Sequence, residues 1–129
     1  MATKTILVVD DDPDSVAATR MVLENQGYQV LSAGGPEEAL VAARKNKPDL
    51  LILDVMMVHE TDGIHLAKEL KEGSDTARIP ILMMTSIGKK RDFHFEGERD
   101  REYLPVDDFL EKPAPPEELK KRVAKLLGR

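Results

Sequence analysis

The sequence predicts an α/β fold of three layers, in which helices cover both faces of a five-stranded parallel sheet. Strand-like and helix-like segments alternate along the chain of 129 residues. The first, third and fourth strand segments, at residues 5–9, 50–54 and 81–85, are almost wholly apolar. Such runs are typical of parallel strands that are buried on both faces. Right-handed crossovers between them give a doubly wound sandwich.

The first helix is predicted to follow a run of aspartates at the end of the first strand. Asp12 suits the N-cap and Pro13 the first helical position. The helix should reach about Gln26 and stop at Gly27, the residue type that most often ends a helix. A second strand is then expected over residues 28–32.

The second helix is predicted to begin after Gly34-Gly35-Pro36 and to end near Asn46. Glu37 and Glu38 fall in its first turn, where the helix dipole favours negative charge. Pro48 prevents the helix from continuing into the next strand. This order of segments returns the chain to the sheet for its third strand.

The third strand is an apolar run that ends on a single carboxylate, Asp54. A charge at the centre of a buried strand would be very costly, but at the strand end it can face a crevice and a metal ion. A helix is predicted over residues 63–72. The fourth strand follows at residues 81–85, and a weaker fifth strand at 106–110 stops at Lys112-Pro113.

The last helix is predicted to start near Pro115 or Pro116. Its apolar stripe consists of Leu119, Val123, Leu126 and Leu127. A further helix belongs between the fourth and fifth strands, yet residues 86–105 combine glycines with dense charge and have no clear apolar face. We therefore expect an irregular region in place of a regular fourth helix.

Composition excludes several classes of protein. The chain has no cysteine, so disulfides, thiolate metal sites and cysteine nucleophiles are excluded. Its apolar runs are too short to cross a bilayer, and its N-terminus lacks a signal-peptide core. A net charge of −5 and 4% aromatic residues argue against nucleic-acid binding. We expect a cytoplasmic protein with a single domain over residues 1–129 and no membrane partner.

Five polar residues stand at or just past the ends of predicted strands, the edge where parallel α/β sheets place their sites. They are Asp10, Asp11, Asp54, Thr85 and Lys112. Three converging carboxylates would repel each other without a cation, and oxygen ligands of this kind suit Mg²⁺. A lysine and a hydroxyl are suited to phosphate oxygens. The set predicts phosphoryl transfer onto a carboxylate.

The segments around these residues resemble the receiver domains of two-component response regulators. The resemblance is carried by Val8-Val9-Asp10-Asp11, Leu53-Asp54, Met83-Met84-Thr85-Ser86 and Leu110-Glu111-Lys112-Pro113. It covers nearly the whole chain, and four motifs in the same order and spacing are specific. The resemblance implies a flavodoxin-like fold with strand order 2-1-3-4-5. Since the sequence shows no second domain, we expect a receiver with no output domain.

The resemblance also implies a chemistry for the carboxylates. Asp54 would accept phosphate from the phosphohistidine of a histidine kinase. Mg²⁺ would be bound by Asp54 and Asp11 directly, by Asp10 mostly through water, and by the backbone carbonyl of Met56. The protein would be a signalling phosphoacceptor in a phosphorelay rather than an enzyme, with at most slow self-catalysed phosphorylation and dephosphorylation.

The remaining site residues are implied by the same resemblance. Thr85 and Lys112 would contact the phosphoryl group. Thr85 and Phe109 would act as the switch that remodels the face around the fourth and fifth strands, although Phe109 is equally consistent with a core aromatic. The partners would be the kinase and either a downstream protein or a histidine phosphotransfer protein.

The loop after Asp54 departs from the family pattern. Val58 replaces the usual proline, and one residue is inserted before Gly63. This departure leaves open an alternative, a receiver-like interaction module that acts without phosphorylation.

Overall fold

The computed structural model describes residues 3–54, 60–74, 76–85, 106–111 and 115–128, and for residues 54, 60–65, 85, 109 and 111 it describes the backbone. In chain order the described elements are β1 (Thr5–Val9), α1 (Pro13–Glu24), β2 (Gln29–Ala33), α2 (Pro36–Asn46), β3 (Leu50–Asp54), α3 (Glu60–Glu72), β4 (Ile81–Thr85), β5 (Asp108–Glu111) and α4 (Pro116–Leu126). The alternation of strands and helices predicted from the sequence is confirmed.

The strands form one five-stranded sheet in the order β2-β1-β3-β4-β5. Every pair of neighbours is parallel. The three central strands are the ones with almost wholly apolar sequences, as expected when both faces of a sheet are covered. The predicted fold class and strand order are therefore confirmed.

Helices cover both faces of the sheet because successive side chains of a strand point to opposite sides. On one face, strand residues such as Leu7 and Leu53 pack with α2 and α3. On the other face, residues such as Val8 and Ile52 pack with Leu23 of α1 and with α4. Full burial of a large apolar side chain stabilises the fold by about 1.5–3 kcal/mol. This alternation produces the predicted three layers.

The turn between α1 and β2 differs from the prediction by one or two residues. The helix ends at Glu24 rather than near Gln26. The Gln26 N–H donates to the Leu23 carbonyl and the Gly27 N–H to the Glu24 carbonyl, which tightens the chain into a turn. Gly27, the predicted stop of the helix, has φ +90° and ends this turn instead. Because the Tyr28 N–H donates back to Leu23, β2 begins one residue later than expected.

Boundaries of α3 and β5 also differ from the prediction. Helix α3 begins at Glu60 rather than at Gly63. Glutamate, threonine and aspartate, the residue types at 60–62, commonly occupy the start of a helix. Strand β5 begins at Asp108 rather than at residue 106, where its pairing with Leu82 begins. The predicted irregular region at 86–105 lies outside the described residues.

The other helix predictions are confirmed. Helix α2 ends at Asn46, followed by Lys47 in the left-handed conformation with φ 45°. Helix α4 begins at Pro116 and buries Leu119 and Val123 against the sheet. In the part of the chain that the structure describes, no helix has the length and apolar character needed to cross a membrane.

Candidate functional site

The strand register brings the predicted site positions to one edge of the sheet. Val9 pairs with Leu53, so Asp10 and Asp54 follow at the same level on neighbouring strands. Neighbouring strands lie about 4.8 Å apart. On the other side of β3, Thr85 ends β4 opposite Glu111, the residue directly before Lys112. The carboxyl ends of β1, β3, β4 and β5 therefore share this edge.

Asp10 is the best-defined carboxylate of the site. Its residue is only 6% exposed. The Asp10 N–H donates to the Ala33 carbonyl oxygen at 3.0 Å, which ties the end of β1 to β2. Its Oδ1 accepts a hydrogen bond of 3.0 Å from the Asp12 N–H. A buried charge requires such partners, so the loop that follows β1 supports and orients this carboxylate.

The next residues hold that loop against the start of α1. Asp11 is exposed beside Asp10. Asp12 is the N-cap, and its Oδ1 accepts from the Asp14 N–H at 3.0 Å. Pro13 occupies the first helical position. The predicted N-cap is confirmed. It fixes the start of α1, and so the short segment between β1 and α1 that contains Asp10 and Asp11.

The side-chain donors described at this edge of the sheet are carboxylate oxygens. Among the described residues there is no group of three or more His, Cys, Asp or Glu side chains that could hold a metal. Asp10 and Asp11 contribute two adjacent carboxylates, and the backbone of Asp54 reaches the same edge. Mg²⁺ typically takes one or two carboxylates and keeps several waters. The described donors are therefore suited to Mg²⁺.

Part of the predicted set falls outside the described residues. Met56 and Lys112 are among these residues, as is the loop that contains Val58. Phe109 lies in β5 with its backbone paired to Met83, but its side chain is not described. The structure therefore brings together the side chains of Asp10 and Asp11 with the backbones at the ends of β3 and β4.

A groove of about 700 Å³ extends from Asp10 and Asp11 along α1. Arg20 lines this groove, and its Nη2 lies 3.4 Å from Ser32 Oγ. Met21, which also lines the groove, is 65% exposed. The sequence analysis did not predict this groove. A signal for it was present in α1, where Arg20 interrupts a face of small apolar residues.

Strand β5, which leads to Lys112, is held on one side by Asp107. The Asp107 Oδ2 accepts from the Ile81 N–H at 2.7 Å and from Lys71 Nζ at 2.9 Å. Lys71 Nζ also donates to the Ile79 carbonyl oxygen at 3.0 Å. The end of α3, the start of β4 and the residue before β5 are thereby joined.

On the other side, Asp108 meets α4. Its Oδ1 lies 3.0 Å from Arg122 Nη1, and Arg122 Nε lies 3.0 Å from Glu118 Oε1. Burial alone would lower the pKa of Arg122, but the charge of Asp108 and the hydrogen bonds to Glu118 and Asp108 outweigh it, so the pKa is raised. Arg122 therefore carries its positive charge at neutral pH.

Comparison with known proteins gives consistent matches across the chain. A family model described as the response regulator receiver domain matches residues 6–124. The alkaline phosphatase synthesis transcriptional regulatory protein PhoP of Bacillus subtilis is 40% identical over 98% of this chain and 49% of its own length. The chain thus spans about half the length of the curated relatives it matches.

Solved structures match the fold as well. A protein assigned as a response regulator from Chloroflexus aurantiacus is 39% identical, with a TM-score of 0.83 over 99% of this chain and 100% of that one. The receiver domain of the sensor histidine kinase PA1611 from Pseudomonas aeruginosa, solved with a magnesium ion in its active-site cleft, is 23% identical. Its TM-score is 0.83 over 99% of this chain and 100% of that one.

Proposed function

The chain belongs to the response regulator receiver domain family, and we propose that Asp54 is its phosphoacceptor. In this proposal a carboxylate oxygen of Asp54 attacks the phosphorus of a phosphohistidine on a histidine kinase. A phosphorus–oxygen bond forms as the phosphorus–nitrogen bond breaks, and the imidazole is released. The reaction takes place in the cytoplasm and is a step of a phosphorelay.

The observation that carries the proposal is the register of the sheet at its carboxyl edge. Asp10 and Asp54 follow paired residues of β1 and β3, and Thr85 is paired with the residue before Lys112. This register supports an arrangement in which the Asp54 carboxylate would be flanked by carboxylates on one side, and by a hydroxyl and an ammonium group on the other. Phosphoryl transfer depends on positioning and charge, which such a set supplies.

Each neighbour of Asp54 has a separate role in the proposal. Mg²⁺ would be held by Asp11, by Asp54 and by the backbone carbonyl of Met56. Asp10 would hold it mostly through water. When bound, this ion supplies positive charge against the phosphoryl oxygens. Asp10 is suited to an outer position because its Oδ1 already accepts from the Asp12 N–H. Lys112 would neutralise a further phosphoryl oxygen.

The proposed output is a shift between two conformations. The Thr85 hydroxyl would move toward a phosphoryl group on Asp54, and Phe109 would follow it inward. The surface around β4 and β5 would then present different contacts to a downstream protein or a histidine phosphotransfer protein. The size of the shift is limited by how much better the phosphoryl group binds one conformation than the other.

A second candidate function is an interaction module that does not need phosphorylation. The loop after Asp54 favours it, because Val58 replaces the family's proline and one residue is inserted before Gly63. A changed loop beside the site would alter how Mg²⁺ and the phosphoryl group are held. In this case the surface around β4 and β5 would bind a partner whether or not Asp54 is phosphorylated.

Intact mass spectrometry after incubation with Mg²⁺ and acetyl phosphate separates the two candidates. We expect the wild type to gain the mass of one phosphoryl group and Asp54→Ala to gain none. Asp14→Ala is the matched control, because Asp14 is exposed and only its backbone N–H contacts the N-cap. An unlabelled wild type would favour the interaction module, and a labelled Asp54→Ala would remove Asp54 as the acceptor.

A further inference from the structure

We propose that Lys71 and Asp107 form a clasp that sets the position of Lys112 relative to Thr85. The clasp consists of these two side chains and the backbone groups of Ile79 and Ile81 that they bind. The inference rests on the proposed function, because it assigns positioning residues for the phosphoryl-contacting half of that site. In the contacts that the structure describes, neither Lys71 nor Asp107 touches Asp10 or Asp11.

The clasp has four short contacts, and two of them converge on one oxygen of Asp107. Asp107 Oδ2 accepts from both the Ile81 N–H at 2.7 Å and Lys71 Nζ at 2.9 Å. The Asp107 N–H donates to the Ile81 carbonyl oxygen at 2.9 Å, so backbone and side chain bind the same residue of β4. Lys71 adds the Ile79 carbonyl at 3.0 Å. The start of β5 is thereby fixed against the start of β4.

This fixation matters because β4 and β5 are parallel, and a tight turn can join only antiparallel neighbours. Residues 86–107 separate the end of β4 from the start of β5. In a hairpin the turn sets the register, but here the register must be set by contacts between the strands themselves. The pairing begins at Leu82 with Asp108 and ends at Thr85 with Glu111. A shift at the clasp would therefore move the end of β5 at Glu111, the residue directly before Lys112 in the sequence.

The clasp acts on one half of the proposed site only. Asp10, Asp11 and Asp54 are carried by β1 and β3, which pair with each other from Ile6 with Leu50 to Val9 with Leu53. Strand β3 also pairs with β4 through the backbone, and neither that pairing nor the one with β1 uses the side chains of Lys71 and Asp107. Thr85 and Lys112 depend on β4 and β5. Loss of the clasp should therefore weaken the contacts to the phosphoryl group and leave the Mg²⁺-binding half intact.

The test compares two kinetic and binding quantities in Lys71→Met. At saturating Mg²⁺ we expect the rate of phosphorylation by acetyl phosphate to fall about tenfold, since small displacements of a positioned group have large effects on rate. The dissociation constant for Mg²⁺, measured by calorimetry, should stay at the wild-type value. Lys71→Arg should restore the rate, because a guanidinium can still bridge Asp107 and the Ile79 carbonyl.

Lys120→Met is the matched control. This substitution removes the same charge from an ion pair of 3.2 Å with Glu117. The Lys120 side chain is 31% exposed, compared with 24% for Lys71. It contacts neither β4 nor β5 through that pair, and we expect wild-type rates. A wild-type rate in Lys71→Met would overturn the clasp. A parallel loss of Mg²⁺ affinity would also overturn it, since that pattern indicates general destabilisation.

Amide NMR spectra keep this test distinct from that of the proposed function. If the wild type is not phosphorylated at all, the proposed function fails, but the clasp still predicts a pattern of amide shifts. In Lys71→Met, the cross-peaks of Ile81 and of residues 108–112 should move, while those of Asp10 and Asp54 should not. Unmoved β5 cross-peaks would contradict the clasp independently of any phosphorylation.

Discussion

Asp107 and Asp108 are consecutive residues that form ion pairs with opposite helical layers. Asp107 Oδ2 lies 2.9 Å from Lys71 Nζ near the end of α3, and Asp108 Oδ1 lies 3.0 Å from Arg122 Nη1 of α4. Successive side chains point to opposite faces of a sheet, so two adjacent aspartates can reach both layers. The start of β5 is thereby held from both sides, five residues or fewer before Lys112.

We predict that Arg122→Met lowers the free energy of unfolding by about 1–3 kcal/mol, because it removes the cation that faces the buried Asp108 carboxylate. A raised pKa means that the contribution of the Arg122 charge is fully present below its unfolded-state pKa and is lost only as the pH rises through the folded-state value. Both values lie above the ordinary working range of a protein.

The difference in the free energy of unfolding between wild type and Arg122→Met should therefore be the same from about pH 6 to about pH 9. Urea unfolding at several pH values in this range measures this difference. Lys120→Met, which breaks an exposed pair with Glu117, should have little effect. A difference that shrinks toward the alkaline end would contradict the assignment of the effect to the Arg122 charge.

We predict that Asp10→Asn weakens Mg²⁺ binding about 10- to 100-fold, as the loss of an outer-sphere ligand does elsewhere. The asparagine amide oxygen can still accept from the Asp12 N–H, so the fold of the loop should be kept. Calorimetric titration with Mg²⁺ measures the affinity. Asp12→Asn is the control, because asparagine caps a helix as well as aspartate does. An equal loss of Mg²⁺ affinity in both variants would show that Asp10 has no special role.

We predict that Lys47→Gly stabilises the protein by about 0.5–1 kcal/mol. Lys47 is exposed and has φ 45°, a conformation that glycine adopts without strain. Its N–H bond to the Ala43 carbonyl is a backbone contact and is retained. Arg44→Gly, inside the same helix, should instead destabilise by about 1 kcal/mol. Urea unfolding distinguishes the two, and destabilisation by both substitutions would contradict the prediction.

The sequence predicted the central strands most accurately. Strands β1, β3 and β4 have the predicted bounds, because strands buried on both faces must be apolar along their whole length. The end of α1 was predicted less accurately. Whether Gln26 continues the helix or joins the turn depends on which carbonyl its N–H selects, and residue types alone do not determine that choice.

For a related reason, the sequence predicted only part of the site. Parallel pairing brings the ends of β1 and β3 together, so Asp10 and Asp54 could be grouped from the sequence alone. The burial of Asp10 and its bond to the Asp12 N–H depend on the backbone path of one loop. The contact between Lys71 and Asp107 spans 36 residues and follows no sequence pattern. Such contacts arise only when the layers pack.

The most direct test of the central claim is to locate the phosphoryl group on the chain. The protein is phosphorylated with acetyl phosphate and Mg²⁺ and then treated with borohydride, which reduces an aspartyl phosphate to homoserine. The peptides are sequenced by mass spectrometry. We predict homoserine at residue 54 and unmodified aspartate at Asp10 and Asp11. Homoserine at another aspartate, or unmodified Asp54 under conditions that label an ordinary receiver domain, would contradict the account.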